Sequence, residues 1–478
     1  MLFNSISFAI FLPIVFALYW LIGKKSLRMQ NVLLLVASYF FYGCWDWRFV
    51  FLLAFSTFLD FYTGIKIHES NTVSRKIWLI ISVSINLGFL AVFKYYNFFI
   101  ESFADLLTTV GFKAHYATLS IILPVGISFY TFHGLSYVFD IYSRKIVPTK
   151  NVVQYSLFVS FFPLLVAGPI ERATHLLPQM EKPRSFNYSK AVDGLRQILW
   201  GLFKKVVIAD SCAQYANVIF DSPAEQSGST LVMGALFFTF QIYGDFSGYS
   251  DIALGTARLF GFELLKNFNF PYFSRDIAEF WRRWHISLST WFKDYLYIPL
   301  GGSKGGNWMR IRNTFIIFLV SGFWHGANWT FLVWGGLNAL YIMPSIILKN
   351  NRNNIDIVAA GKILPNARDF FNICITFSLT VFAWIFFRAE NLTHAFTYIS
   401  GIFNRSLLSV PEIKRVDTIF LIVFFMGIEW IGRESNYAIE KLFHKQYRLI
   451  RWSFYIFIVF LIGMYMETSE SPFIYFQF

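Results

Sequence analysis

Apolar runs long enough to enter a bilayer recur along the whole chain, from Ile6 to Met466, and they constrain the fold more than any motif does. One crossing takes about 20 apolar residues. Of the 478 residues, 56% are hydrophobic and 14% charged, against about 25% charged in an ordinary soluble domain. A water-soluble fold is excluded, and the chain reads as an all-α polytopic membrane protein. No internal repeat or long low-complexity linker divides it, so residues 1–478 read as a single integrated domain.

The 41 Lys and Arg against 28 Asp and Glu leave a net charge of +13. In a soluble protein this excess would point to nucleic acid. Here the basic residues gather at the ends of apolar runs, the pattern of cytoplasmic loops or of a site for an anionic ligand, and no nucleic acid is implied. The cysteines, Cys44, Cys212 and Cys374, are scattered and odd in number. They suggest neither a disulfide framework nor a thiolate metal site.

Positive charge orients the runs. The first, 6–22, is followed by Lys24, Lys25 and Arg28, the reverse of a cleavable signal peptide. It predicts a retained helix with its C-terminal end in the cytoplasm. Runs 32–43 and 49–65 flank Trp45-Asp46-Trp47 and lead to Lys66, Arg75 and Lys76, so the tryptophans fall in the outer interfacial belt. Run 77–93 precedes a moderately apolar stretch, 97–116, expected to be interfacial or re-entrant. Run 119–142 contains Pro124 and Gly126, which predict a kink, and ends at Arg144 and Lys145. Further apolar runs are 152–170, 231–246, 252–262, 315–323, 329–348, 370–387, 418–431 and 452–466, and 187–220 has helical periodicity with Lys204 and Lys205 in its interior. The 231–246 and 252–262 runs are separated by a polar stretch. About 11 crossings are expected, with additional re-entrant or interfacial helices.

Polar groups inside such a chain are functional candidates by default. The densest group, SRDIAEFWRRWHISLSTWFKDYLYIPLGGSKGG from Ser274, reads as an amphipathic helix N-capped by Ser274. Spacings of three and four put Ile277, Trp281, Trp284, Leu288 and Trp291 on one face, with His285 at its margin. Arg282, Arg283, Lys304, Arg310 and Arg312 could attract the phosphates of a cytoplasmic cofactor, or serve as ordinary positive-inside residues.

The second group is SGFWHGANW from Ser321. His325 lies thirteen positions past Arg312, which at about 1.5 Å per residue is about 20 Å into the membrane. An imidazole there must stay neutral or find a partner. Gly322, Gly326 and Ala327 are expected to leave room beside the ring. A third group, QIYGDFSGYSD from Gln241, brings Asp245, Tyr249 and Asp251 between apolar runs. Its two carboxylates read equally as an acid/base pair or as ion-pair residues. His133, inside an apolar run, reads as a packing residue. No P-loop, dinucleotide fingerprint, GxSxG elbow or HExxH metal motif is present, and no metal is implied.

At these residues the chain closely resembles the membrane-bound O-acyltransferase family, in its bacterial branch containing the membrane subunits of alginate O-acetyltransferase and teichoic-acid D-alanyltransferase. The resemblance runs in order through VGISFYTFHGLSYVFDIY from Val125, FFPLLVAGPIER from Phe161, QIYGDFSGYSDIALGTARLFGF from Gln241, FWRRWHISLSTWFKDYLYIPLGG from Phe280, SGFWHGANWTFLVWGGLN from Ser321 and the terminal FIYFQF. It implies helices around a central funnel, with His325 matching the family's near-invariant histidine and His285 its second. It also implies acetyl transfer from cytoplasmic acetyl-CoA to an extracytoplasmic polysaccharide, directly or through a periplasmic acyltransferase partner, in a bacterial inner membrane.

Acyl transfer needs a base and a stabiliser for the oxyanion. His325 is the candidate base. His285, Asn328 or backbone amides near Gly326 are candidates to orient the carbonyl, with Asp245 and Tyr249 as further substrate-binding candidates. A transporter or flippase would use the same histidines for proton relay or carrier contact, and its inverted repeats are not seen here.

Overall fold

The computed structural model describes residues 1–478 except 23–25, 113–117, 120–121, 167, 413–414, 444–445, 467–472 and 475–478. Lys24, Lys25, His115, His444 and the last four residues of FIYFQF therefore lie outside the described residues. The secondary structure among the described residues is entirely helical. Among the described residues, five helices are long and apolar enough to cross a membrane: Arg48–Glu69, Thr72–Thr109, Trp329–Ile347, Ala367–Arg388 and Arg448–Tyr465. Ile6–Ile22 and Val152–Leu165 are shorter apolar helices. The expected count of about 11 crossings exceeds what length and composition of these helices establish.

The chain packs as two compact units, Met1–Lys190 with Ala257–Leu265, and Ala191–Thr256 with Lys266–Phe478. In the first unit, Ser26 caps Leu27–Gly43 by accepting from the Met29 amide, and Asn71 caps Thr72–Leu90 by accepting from Ser74. The stretch 97–116, expected to be interfacial or re-entrant, is helical as far as Thr109, and its residues 113–116 lie outside the described residues. Thr72–Leu90 continues through a π-helical turn, Ala91–Tyr95, into Tyr96–Thr109. Gly126 is not a kink. It sits at φ 73°, ahead of the helix Ile127–Tyr142, in a conformation suited to glycine.

Asp60 organises this unit from inside Arg48–Glu69. It accepts from Ser82 at 2.7 Å and from Asn86 at 2.8 Å. A side chain at Gly134 would strike its Oδ2, so the glycine lets Ile127–Tyr142 approach closely. The neighbouring His133 accepts the Glu171 amide at 3.1 Å, which is the packing role expected of it.

In the second unit the polar stretch at 247–251 does not break the chain. One 32-residue helix, Gly228–Leu259, runs through it. The reason is local: Gly244 and Gly248 allow close contact with Tyr188–Leu202 and the π-helix Phe203–Ala209. A Cβ on Gly248 would stand 2.8 Å from the Gly201 carbonyl oxygen, and one on Gly244 2.9 Å from that of Lys204. That approach inserts Lys204 and Lys205 among acids. Lys204 pairs with Asp251 at 2.6 Å, and Lys205 with Asp245 at 2.9 Å and Asp210 at 2.8 Å.

The helices Gly306–His325 and Trp329–Ile347 form a hairpin in the same unit. Its small residues are filled by the hairpin itself: a Cβ on Gly322 would meet the Phe331 carbonyl, and one on Gly326 the Phe331 ring. The room expected beside His325 is thus taken by helix packing.

Candidate active site

The segment that begins at Ser274 is not one amphipathic helix. Its N-cap is Asp276, whose carboxylate accepts from the Glu279 amide at 2.7 Å. The first helix, Ile277–Arg283, stops after one pair of turns, and a second, Ile286–Phe292, starts beyond it. His285 is the joint, at φ 43° and ψ 54°. A non-glycine residue held in this left-handed region costs on the order of 1–3 kcal/mol and persists where surrounding contacts impose it.

Those contacts are specific. The Ile286 amide donates to the Asn267 carbonyl at 2.9 Å, and the Asn269 amide to the Arg283 carbonyl at 2.9 Å. The joint is therefore laced to residues 267–269. His285 Nδ1 lies 3.0 Å from Asn267 Oδ1, while the ring packs edge-on against Phe246 with centroids 4.7 Å apart. Burial alone pushes its pKa down to about 3, so it is neutral at ordinary pH. Arg282 and Arg283 steady the same joint from outside it. Arg283 donates to Glu279 at 2.7 Å and to the Asp356 carbonyl at 2.9 Å, whereas Arg282 holds the carbonyls of Asn351 and Asn354, each at 2.8 Å.

His325 reaches the same cluster from the hairpin. It is the last residue of the 20-residue helix Gly306–His325, so it lies at the end of about 30 Å of helix remote from Arg310 and Arg312. It is 4% exposed, and its ring packs against Trp334 at 5.1 Å and Phe387 at 5.2 Å. The indole of Trp324 links the two histidines, with centroids 4.8 Å from His325 and 6.2 Å from His285. The two imidazoles are thereby gathered in one water-poor aromatic cluster.

The other candidates are placed differently. Asn328 caps Trp329–Ile347 by accepting from Thr330 at 3.0 Å and donates to the Glu390 carbonyl at 2.5 Å. Its amide already has structural contacts at both ends. Asp245 faces Lys205 and accepts the Ile474 amide at 2.6 Å, and Tyr249 packs on Phe473 at 4.7 Å. Asp251 is shared by Lys204 and Gln197. Both carboxylates thus appear in the ion-pair arrangement, one of their two sequence readings.

Lys304 and Arg312 are exposed and Arg310 is half-buried. Arg310 and Arg312 bond the Ser303 and Leu300 carbonyls, and no carboxylate pairs with these three cations among the described residues.

A cleft opens at each end of Trp329–Ile347. At its N-terminal end a cleft of about 530 Å³ is lined by Asn328, Trp329, Asn391, Thr393, His394 and Thr397. At the other end a cleft of about 570 Å³ has Arg275, Asp276, Tyr341, Asn350, Arg368 and Asp369 in its wall. Sequence reasoning missed Asn267, whose importance comes from a contact 18 positions away. The partners of Lys204 and Lys205 were equally invisible to it, because helical periodicity assigns such residues to a face without naming what lies opposite.

The profile of the membrane-bound O-acyltransferase family matches residues 143–387, which contain both histidines. A protein of Pseudomonas aeruginosa named "Probable alginate O-acetylase AlgI" is 39% identical over 87% of this chain and 78% of its own length. Its namesake in Pseudomonas putida is 34% identical over 100% of both chains. The peptidoglycan O-acetyltransferase of Helicobacter pylori is 35% identical over 88% of this chain and 83% of its own. The aromatic cluster that joins His285 to His325 thus lies within the matched region, and the chain belongs to the membrane-bound O-acyltransferase family.

Proposed function

We propose that this chain moves an acetyl group from cytoplasmic acetyl-CoA to a hydroxyl outside the inner membrane, on a polysaccharide or on a periplasmic acyltransferase partner that modifies one. The observation that supports it most is the pair of buried histidines around Trp324, within a chain whose relatives are named as O-acetylases of alginate and peptidoglycan.

In this reading His325 takes the proton of the acceptor hydroxyl as its oxygen bonds to the thioester carbonyl carbon. The tetrahedral adduct then collapses, the carbon–sulfur bond breaks, and the CoA thiolate recovers the proton from His325. No net proton or electron is left over. The surrounding indoles and phenyl rings exclude water, which protects the thioester from hydrolysis and strengthens every polar contact with the adduct. Backbone amides near Gly326 are the candidates for oxyanion donors.

Donor and acceptor arrive from opposite ends of Trp329–Ile347. The positive-inside rule puts Arg310 and Arg312 at the cytoplasm. With Lys304 they are cations without a carboxylate partner among the described residues, suited to the phosphates of CoA, and Arg282 and Arg283 are assigned to the same side. Asp245 and Tyr249 are further substrate-binding candidates. Purified protein in vesicles, given acetyl-labelled CoA inside and a glycan or partner outside, tests the reading. Label on the external acceptor supports it. Unchanged acceptor with transport of intact glycan would instead support a flippase.

A further inference from the structure

The environment of His285 determines more than its neutrality. Asn267 is 1% exposed, and its Oδ1 is the focus of three contacts: His285 Nδ1 at 3.0 Å, Ser287 Oγ at 2.9 Å and the Ser287 amide at 3.4 Å. The last of these decides the orientation of the amide. A backbone N–H can only donate, so the atom facing it must be the oxygen rather than the nitrogen of Asn267. A carbonyl oxygen can only accept, so the His285 nitrogen beside it must carry the proton. In a neutral imidazole the other nitrogen then holds the lone pair. That nitrogen, Nε2, is buried and has no hydrogen-bond partner among the described residues.

We infer that Asn267 is a positioning residue that locks His285 as the Nδ1–H tautomer, so that Nε2 meets the reacting groups solely as an acceptor. The left-handed backbone at His285 serves this arrangement. Because the Ile286 amide is tied to the Asn267 carbonyl, the two residues are joined by backbone as well as by side chain. The rings against His285 are Phe246 and Trp324, which carry no charge, and burial alone accounts for its lowered pKa. Among the described residues, the one hydrogen bond to the His285 ring is that of Asn267. The consequence is a restriction on mechanism: His285 can take a proton, or accept a hydrogen bond from the incoming hydroxyl, but it cannot donate to the oxyanion. That part of the inference rests on the acyl-transfer reading. The tautomer does not.

The test uses the full chain in lipid nanodiscs with nitrogen-15-labelled histidine. The His285 ring signals are assigned by their loss in His285→Gln. A protonated Nδ1 with an unprotonated Nε2 is expected in the parent protein. Asn267→Leu should produce a mixed or inverted tautomer and lower kcat by about 10²-fold, with the KM for acetyl-CoA nearly unchanged. Asn267→Asp keeps an acceptor at the same place. It should preserve the tautomer, retain kcat within about tenfold of the parent, and move the acid limb of the pH–rate profile upward, since a carboxylate favours the imidazolium. A parent protein with its proton on Nε2 would overturn the inference, as would Asn267→Leu with parental tautomer and kcat. Loss of kcat in Asn267→Asp as complete as in Asn267→Leu would also overturn it, by showing a packing role. If no donor supports acyl transfer, the reading of function fails while the ring-nitrogen spectrum still decides the tautomer.

Discussion

Replacing His325 with alanine removes an imidazole without burying a new charge, so the protein should insert and fold while acyl transfer falls by about 10²–10⁴-fold, the usual contribution of a general base. Turnover by a purified, monodisperse His325→Ala protein checks this, and parental rates would remove His325 from the chemistry. His285 gives a prediction of a different kind. Its native pKa, about 3, lies below the ordinary 6.5, so below pH 6.5 the unfolded chain takes up a proton that the native site refuses. The stability linked to this group is complete above about pH 6.5 and is lost progressively as the pH falls toward 3. Thermal-inactivation midpoints across that range should decline, and the decline should be shallower in His285→Gln. Both histidines were legible in the sequence because an imidazole in an apolar setting is costly and therefore conspicuous. The geometry of His285 was not legible. Helical spacing placed it on the margin of a continuous face, whereas a positive φ and a tie to Asn267 make it a joint.

Among the elements, the run containing Lys204 and Lys205 keeps the helical character of its sequence and adds a π-turn. Periodicity recognised a helix over 187–220, and the structure keeps it helical through the π-turn Phe203–Ala209. A π-bulge often marks a functional or strained point. Here it lies where two lysines meet Asp210, Asp245 and Asp251. Lys205 is 1% exposed, so changing it to methionine leaves Asp210 and Asp245 buried without their cation. The expected loss is about 3–5 kcal/mol, the range for breaking a buried pair. It should appear as a lowered unfolding midpoint in detergent, with an exposed Lys304→Met control within about 0.5 kcal/mol. A parental midpoint for Lys205→Met would show that the ion pairs contribute little. Helix existence and ends were read well where runs were purely apolar. The run 6–22 coincides with Ile6–Ile22, and 329–348 differs from Trp329–Ile347 by one residue. The continuity of Gly228–Leu259 through 247–251 is not legible, because polar side chains lower the hydropathy of a segment without breaking its backbone.

Across the whole molecule, charge at helix ends predicts which face each loop occupies. Arg75 donates to the Ile141 carbonyl at 3.0 Å, so the helix ends that carry Arg75 and Arg144 lie together in the first unit. Cysteine labelling in a background lacking Cys44, Cys212 and Cys374 should find positions 66, 144 and 310 accessible from the cytoplasm and position 45 from outside. Labelling of 310 from outside alone would invert the assignment. Neutralising Lys304, Arg310 and Arg312 together should raise the KM for acetyl-CoA and leave acceptor affinity unchanged. The opposite result would exchange the two faces. The central claim, that this chain itself carries an acetyl group across the bilayer, is tested most directly in sealed vesicles with radiolabelled acetyl-CoA enclosed and the acceptor outside. Label on the acceptor that depends on His325 is expected. Equal labelling by the parent and by a folded His325→Ala protein would contradict it.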